Sequence, residues 1–155
     1  MSVDGSTFRP MRYGSQRAVY DFNHAEPRAG LAALGYLRNH LAALADFGDV
    51  SASVLVVVAH GNELHAFARA NAALYPEAEA ALDELAARGV LFRVCRNAAR
   101  SRGYAPEDFY RVCAVVPAAV AEIAHWQAQG FSYMFAGSYA RLDRSALGPL
   151  PGKDA

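Results

Sequence analysis

The sequence predicts an α/β domain, a three-layer α/β/α sandwich on a parallel five-stranded sheet of the Rossmann-like kind. Three observations predict it. Short apolar runs of strand length alternate with longer runs of helical period along the chain. Residues 54–59 (VLVVVA) are continuously apolar and rich in β-branched side chains, as in a central parallel strand covered on both faces. Five such strands with four helical segments between them imply parallel pairing, because the crossovers are then helical and right-handed.

Residues 17–23 form the first strand, with Val19, Tyr20 and Phe22 favouring extended backbone. Pro27 opens a helix where its missing amide costs little. Leu31, Leu34, Leu37, Leu41 and Leu44 then recur at three- and four-residue steps and make one apolar stripe ending near Gly48. After strand 54–59 a helical region over 63–88 is interrupted near 71–76 and closed by Gly89 at a C-terminal cap. Strand 90–95 follows, then a loop with a helical turn near 106–109 and strand 111–116. Pro117 starts the last helix, in which Val120, Ile123 and Ala124 share a face. Gly130 ends it, and residues 131–135 make the fifth strand. The organisation expected is an N-terminal extension over 1–15, one domain over 16–136 and a mobile tail over 137–155.

The 155 residues suit one domain, and 54% apolar against 19% charged residues is a globular composition. Fifteen basic and fifteen acidic residues cancel, so there is no basic patch pointing to nucleic acid or an anionic membrane. No run approaches the length of a membrane span, and the first fifteen residues lack the apolar stretch of a secretory signal; a cytoplasmic location is expected. Two cysteines do not make a disulfide framework. Cys113, inside the apolar run 112–116, is expected to be a buried core thiol.

The chemistry gathers at the strand ends. In an open parallel sheet the carboxyl ends share one edge, and ligands bind there. The first strand brings Asn23 and His24 to that edge, the second His60 and Asn62, and the third Cys95 and Asn97. Cys95 ends its strand and runs straight into a turn carrying Arg96, Arg100 and Arg102. The first amides of the turn and the three guanidinium groups favour thiolate over thiol, and the thiolate is the reactive form. The bland counterpart is a packed cysteine, a solvated arginine face and a loop-capping His60, with Trp126 and Tyr133 as core or subunit-contact aromatics. Other chemistries fit poorly. The chain has no GxGxxG after the first strand, no GxxxxGK[ST], no CxxC and no GxSxG. His60 and His65 stand five apart, a poor spacing for two ligands on one helical face. Single-thiol chemistry or ligand binding without chemistry is left.

The segment 94–103 (VCRNAARSRG) resembles the sulfur-acceptor segment of the DsrE/DsrF-like (YchN/TusD-related) family. Residues 19–23, 57–61 and 116–124, with Gln127 and 130–133 behind them, are similar to that family in order and spacing, so the likeness spans about 17–135. It implies the five-stranded α/β/α fold and assembly into homo-oligomers, trimers or hexamers. No cofactor and no resident metal are expected. The likeness also implies sulfur relay: Cys95 would carry a persulfide between a donor and an acceptor protein, and His60 and Asn97 match family positions that line the site; Asn23, Arg96 and Arg100 are expected to line it from their own places at the strand ends. Arg96 departs from the family, standing where many relatives have a small residue. A relay predicts an exposed Cys95. The alternative is a non-enzymatic oligomer with a strand-end pocket lined by Asn23, His60 and Asn97 and a structural cysteine. A metal site of His24, His60 and Cys95 requires all three to converge on one point.

Overall fold

Alternation along the first strand decides which side of the sheet each residue serves. In β1 (Arg17–Phe22) the residues Ala18, Tyr20 and Phe22 enter one apolar cluster, while Val19 enters another on the opposite face. The same alternation runs through β2 (Val54–Ala59) and β3 (Leu91–Cys95). With β4 (Cys113–Val116) and β5 (Ser132–Phe135) they form one sheet in the order β4-β3-β2-β1-β5, every pair parallel. The computed structural model describes residues 4–137 and 140–149.

The first face is covered by three helices. In α1 (Pro27–Phe47) the predicted stripe buries Leu34, Leu37, Leu41 and Leu44, while Leu31 is only partly buried. The expected helical region over 63–88 breaks into α2 (Leu64–Phe67), a 3-10 turn at Arg69–Asn71 and α3 (Ala78–Ala87). Gly89 follows α3 with φ +95, a left-handed backbone that lets the chain turn sharply into β3. The short α4 (Arg96–Ser101) leaves β3 directly, and a 3-10 turn at Pro106–Asp108 precedes β4.

Among the described residues, the opposite face carries one helix, α5 (Ala119–Ala128), which lies over β1, β2 and β5. Its sheet-facing side is Ala119, Ile123 and Trp126 rather than the Val120, Ile123, Ala124 side expected, and Val120 is 78% exposed. Trp126 decides this: its ring packs on Phe131 at 4.8 Å, outside the helix, and so turns that side of α5 to the sheet.

The N-terminal segment is tied to the foot of α1 by a Phe8–Phe47 ring contact and by Tyr13 N–H donating to the Phe47 carbonyl. Residues 140–149 are exposed, with a 3-10 turn at Arg144–Leu147. The remainder of the expected tail, 138–139 and 150–155, lies outside the described residues. No helix among the described residues is long and apolar enough to cross a membrane.

Candidate functional site

The strand order makes the carboxyl ends of β1, β2 and β3 true neighbours, so the rim expected from the sequence forms. The rim is not one site, however, because alternation sends its side chains to two faces.

Cys95 faces α5. It packs with Val56, Val58, Ala119 and Phe131 and is only 6% exposed, against the exposed thiol that a relay predicts. Burial follows from the first residue of α5, Ala119, which sits in the same cluster. The sulfur caps α4 and accepts the Ala98 N–H at 3.4 Å. The arginines do not crowd it: Arg96 and Arg100 are exposed, and Arg102 donates to Asn62 Oδ1 at 3.1 Å and to the Ala98 carbonyl at 3.0 Å. Asn97 and Asn23 are exposed as well.

His60 joins the α5 side. Its N–H donates to the Phe22 carbonyl at 3.0 Å, continuing the β1–β2 ladder one step. Its Nε2 lies 2.6 Å from Asp21 Oδ1, with both side chains mostly buried. The other carboxylate oxygen, Asp21 Oδ2, accepts the Tyr133 hydroxyl. That hydrogen bond, with burial and the charge of Asp21 behind it, pushes the Tyr133 phenol up to about 12. A carboxylate only accepts, so the neutral ring carries its hydrogen on Nε2 and keeps Nδ1 as an acceptor. Asp21 and Tyr133 were not among the residues singled out by sequence for the site. The signal was present: Asp21 is the one charged residue between Ala18 and Phe22 of a buried strand, two positions from Val19 and on the same face.

His24 goes the other way. Its ring stands edge-on to Phe22 at 5.2 Å in the core beneath α1, and its Nε2 is buried without a hydrogen-bond partner. Burial lowers its pKa, with the charge of Asp21 opposing. His24, His60 and Cys95 therefore do not converge, and no group of three His, Cys, Asp or Glu among the described residues is placed to hold a metal ion.

A third residue missed by sequence is Glu63, fully buried behind the rim. Its Oε1 accepts the His24 N–H at 2.9 Å and its Oε2 the Gly61 N–H at 2.7 Å, so one carboxylate ties together the loops leaving β1 and β2. Burial raises its pKa against those bonds and the charge of His60. Two glycines make the room: a Cβ on Gly30 would stand 2.1 Å from Glu63 Cβ, and one on Gly61 would stand 2.4 Å from the His24 nitrogen.

Cys113, on the edge strand β4, packs against the main core as expected, though it is partly rather than fully buried. Burial, with Asp83 nearby, pushes its thiol up to about 12. A cleft of about 790 Å³ opens between α1 and the amino ends of β1 and β5, the end of the sheet opposite Cys95. There Tyr20 Oη and His40 Nδ1 are 2.7 Å apart, and His40 Nε2 lies 2.7 Å from Gln16 Oε1. The Asn23, His60, Asn97 pocket is not this cleft, whose walls include Tyr20, Tyr36 and His40.

The model of the DsrE/DsrF-like family matches residues 13–135. Among solved structures, the chain is similar to a protein of unknown function, MTH1491, from Methanobacterium thermoautotrophicum. The two are 24% identical with a TM-score of 0.64 over 78% of this chain and 99% of that one, a likeness of fold. No curated protein matches the chain.

Proposed function

We propose, from the premise that the chain belongs to the DsrE/DsrF-like family, that it is a sulfur carrier holding sulfane sulfur as a persulfide on Cys95. The observation that carries this is the sulfur itself: it ends β3 at the carboxyl edge of the sheet and accepts the Ala98 N–H, a donor suited to a sulfur anion. Cys95 thiolate attacks the outer sulfur of a donor persulfide, R–S–SH. The new bond gives Cys95–S–SH, and the donor leaves as thiolate. An acceptor thiolate then attacks that outer sulfur and releases Cys95 as thiolate, so no external oxidant or reductant enters.

A buried thiol sets a condition on the relay. The first turn of α5 has to yield to the donor, and it is built lightly enough to do so: its N-cap residue Ala118 makes no side-chain cap, and Val120 and Ala121 are exposed. The exposed apolar Val120 and Phe135 also support self-association of this face, as the family leads one to expect.

The test is intact-mass spectrometry after brief exposure to polysulfide, on wild type, Cys95→Ser and Cys113→Ser. Additions of about 32 Da per sulfur are expected, reversed by reductant and lost only in Cys95→Ser. No addition, or equal addition at Cys113, overturns the relay.

A second reading is favoured by the burial of Cys95 together with the cleft beside Tyr20 and His40. In it the cysteine is packing, and the protein binds a small ligand at the amino ends of the strands. A chain of that kind takes up no sulfur and keeps its ligand affinity in Cys95→Ala.

A further inference from the structure

Resting on the sulfur-carrier reading, we propose that His60 is the base that takes the Cys95 proton, and that Asp21 and Tyr133 are positioning residues that hold its ring ready. The β2–β3 ladder pairs Val58 with Arg93 and Ala59 with Val94. The next step along both chains brings His60 beside Cys95, on neighbouring parallel strands about 4.8 Å apart. Both belong to the α5 face. Val58, two residues before His60, and Cys95 share one cluster, and His60 bonds Asp21, which stands two residues beyond Val19 of that cluster.

Each element around the pair contributes a charge or dipole. Asp21 comes from β1 and Tyr133 from β5. From β3 and α5 come Arg93 and Glu122, 3.7 Å apart, with Glu122 also accepting the Trp126 indole N–H. Glu63, past the end of β2, is close enough for its carboxyl to respond to charge on His60, and His24 responds to Asp21 from the other face. Arg96 follows Cys95 and is exposed. Glu122 has a basic partner in Arg93, whereas among the described residues the side-chain partners of the Asp21 carboxylate are His60 and the neutral phenol of Tyr133. An imidazolium at His60 thus has its counter-ion in place, and Nε2–H bonded to Asp21 leaves Nδ1 to receive the proton.

The step balances. The Sγ–H bond breaks with its electron pair left on sulfur, and an N–H bond forms on the imidazole. The thiolate bonds the outer sulfur of the donor persulfide, the donor S–S bond breaks, and the departing donor thiolate takes the proton from His60.

The rate of Cys95 alkylation by iodoacetamide against pH, read by peptide mass on the full chain carrying Cys113→Ser, tests this. At pH 6 a rate about tenfold above that of His60→Asn is expected, with the two profiles merging above pH ~9.5 where the thiol ionises unaided. Asp21→Asn should fall between them, and Tyr133→Phe should move the profile least. Superimposable profiles for the parent and His60→Asn, or a parent Cys95 that does not react below pH ~8.5, overturn the proposal. If His60→Asn does not fold, Asp21→Asn decides by the same comparison. The relay fails by a different signature: Cys95 of wild type takes up no sulfur from polysulfide, whatever its alkylation profile.

Discussion

The two faces of the sheet are built to different standards. Under α1, α2 and α3 the core is continuous, and Phe22, Leu34, Leu37, Phe67, Leu82 and Phe92 are almost wholly buried. Under α5 the buried set is small, Val19, Val56, Val58, Cys95, Ala119 and Phe131, and polar side chains share the surface: Asp21, His60 and Arg93. A single helix of ten residues covers what three helices cover on the other side. The difference teaches where chemistry is affordable. The charged side chains beside α5 keep a little solvent and meet in pairs, Asp21 with His60 and Arg93 with Glu122, whereas the carboxylate enclosed near α1, Glu63, is held by backbone N–H groups.

The largest effect that would break this contrast is in core truncation. Leu37→Ala, fully enclosed under α1, should cost about 2–5 kcal/mol in denaturant unfolding, and Ile123→Ala on α5 about 1 kcal/mol. Equal losses would mean that the faces are equally packed. Next comes Gly30→Ala. Alanine is the better helix former by about 1 kcal/mol, yet its Cβ would meet Glu63, and overpacking of about 1–3 kcal/mol should win. A stabilised Gly30→Ala would show that Glu63 and the two loops it holds have slack.

The smallest effect is in pH. Burial lowers the folded-state pKa of His40 and His24 below the usual 6.5. The unfolded chain therefore binds protons first as pH falls below 6.5, so stability drops through that window, by at most about 1.4 kcal/mol per pH unit for each group. Glu63 runs the other way: its raised folded-state pKa costs stability as pH rises from 4.5 through the folded value. The histidine contribution just below pH 6.5 is positive, so the slope of stability against pH there should become less positive in His40→Gln. An unchanged slope in that variant would assign the acid sensitivity to His24 alone.

Much of this was legible in the sequence. Five strands and the leucine stripe of α1 follow from period alone, and the end of β3 at Cys95 is fixed by the loss of apolar alternation there. The rim residues were legible as a set. Their sorting was not, because it depends on which face each side chain takes and on strand order, both tertiary facts. His24 and His60 look alike in the sequence, yet one enters the core and the other meets Asp21. Asp21 was the cue left unused, since a lone carboxylate in a buried strand needs a partner. Glu63 was beyond sequence reasoning: its role rests on two backbone N–H groups and on glycines whose missing side chains are felt only in three dimensions.

The hydrogen bond from Tyr133 to Asp21 joins the last strand to the first across 112 positions of chain. Closing so long a loop carries a large entropic toll, so local helices and the β1–β2–β3 ladder form with less delay than the docking of β5. Asp21 thus gains its phenol only when the chain has been made and threaded through to residue 133.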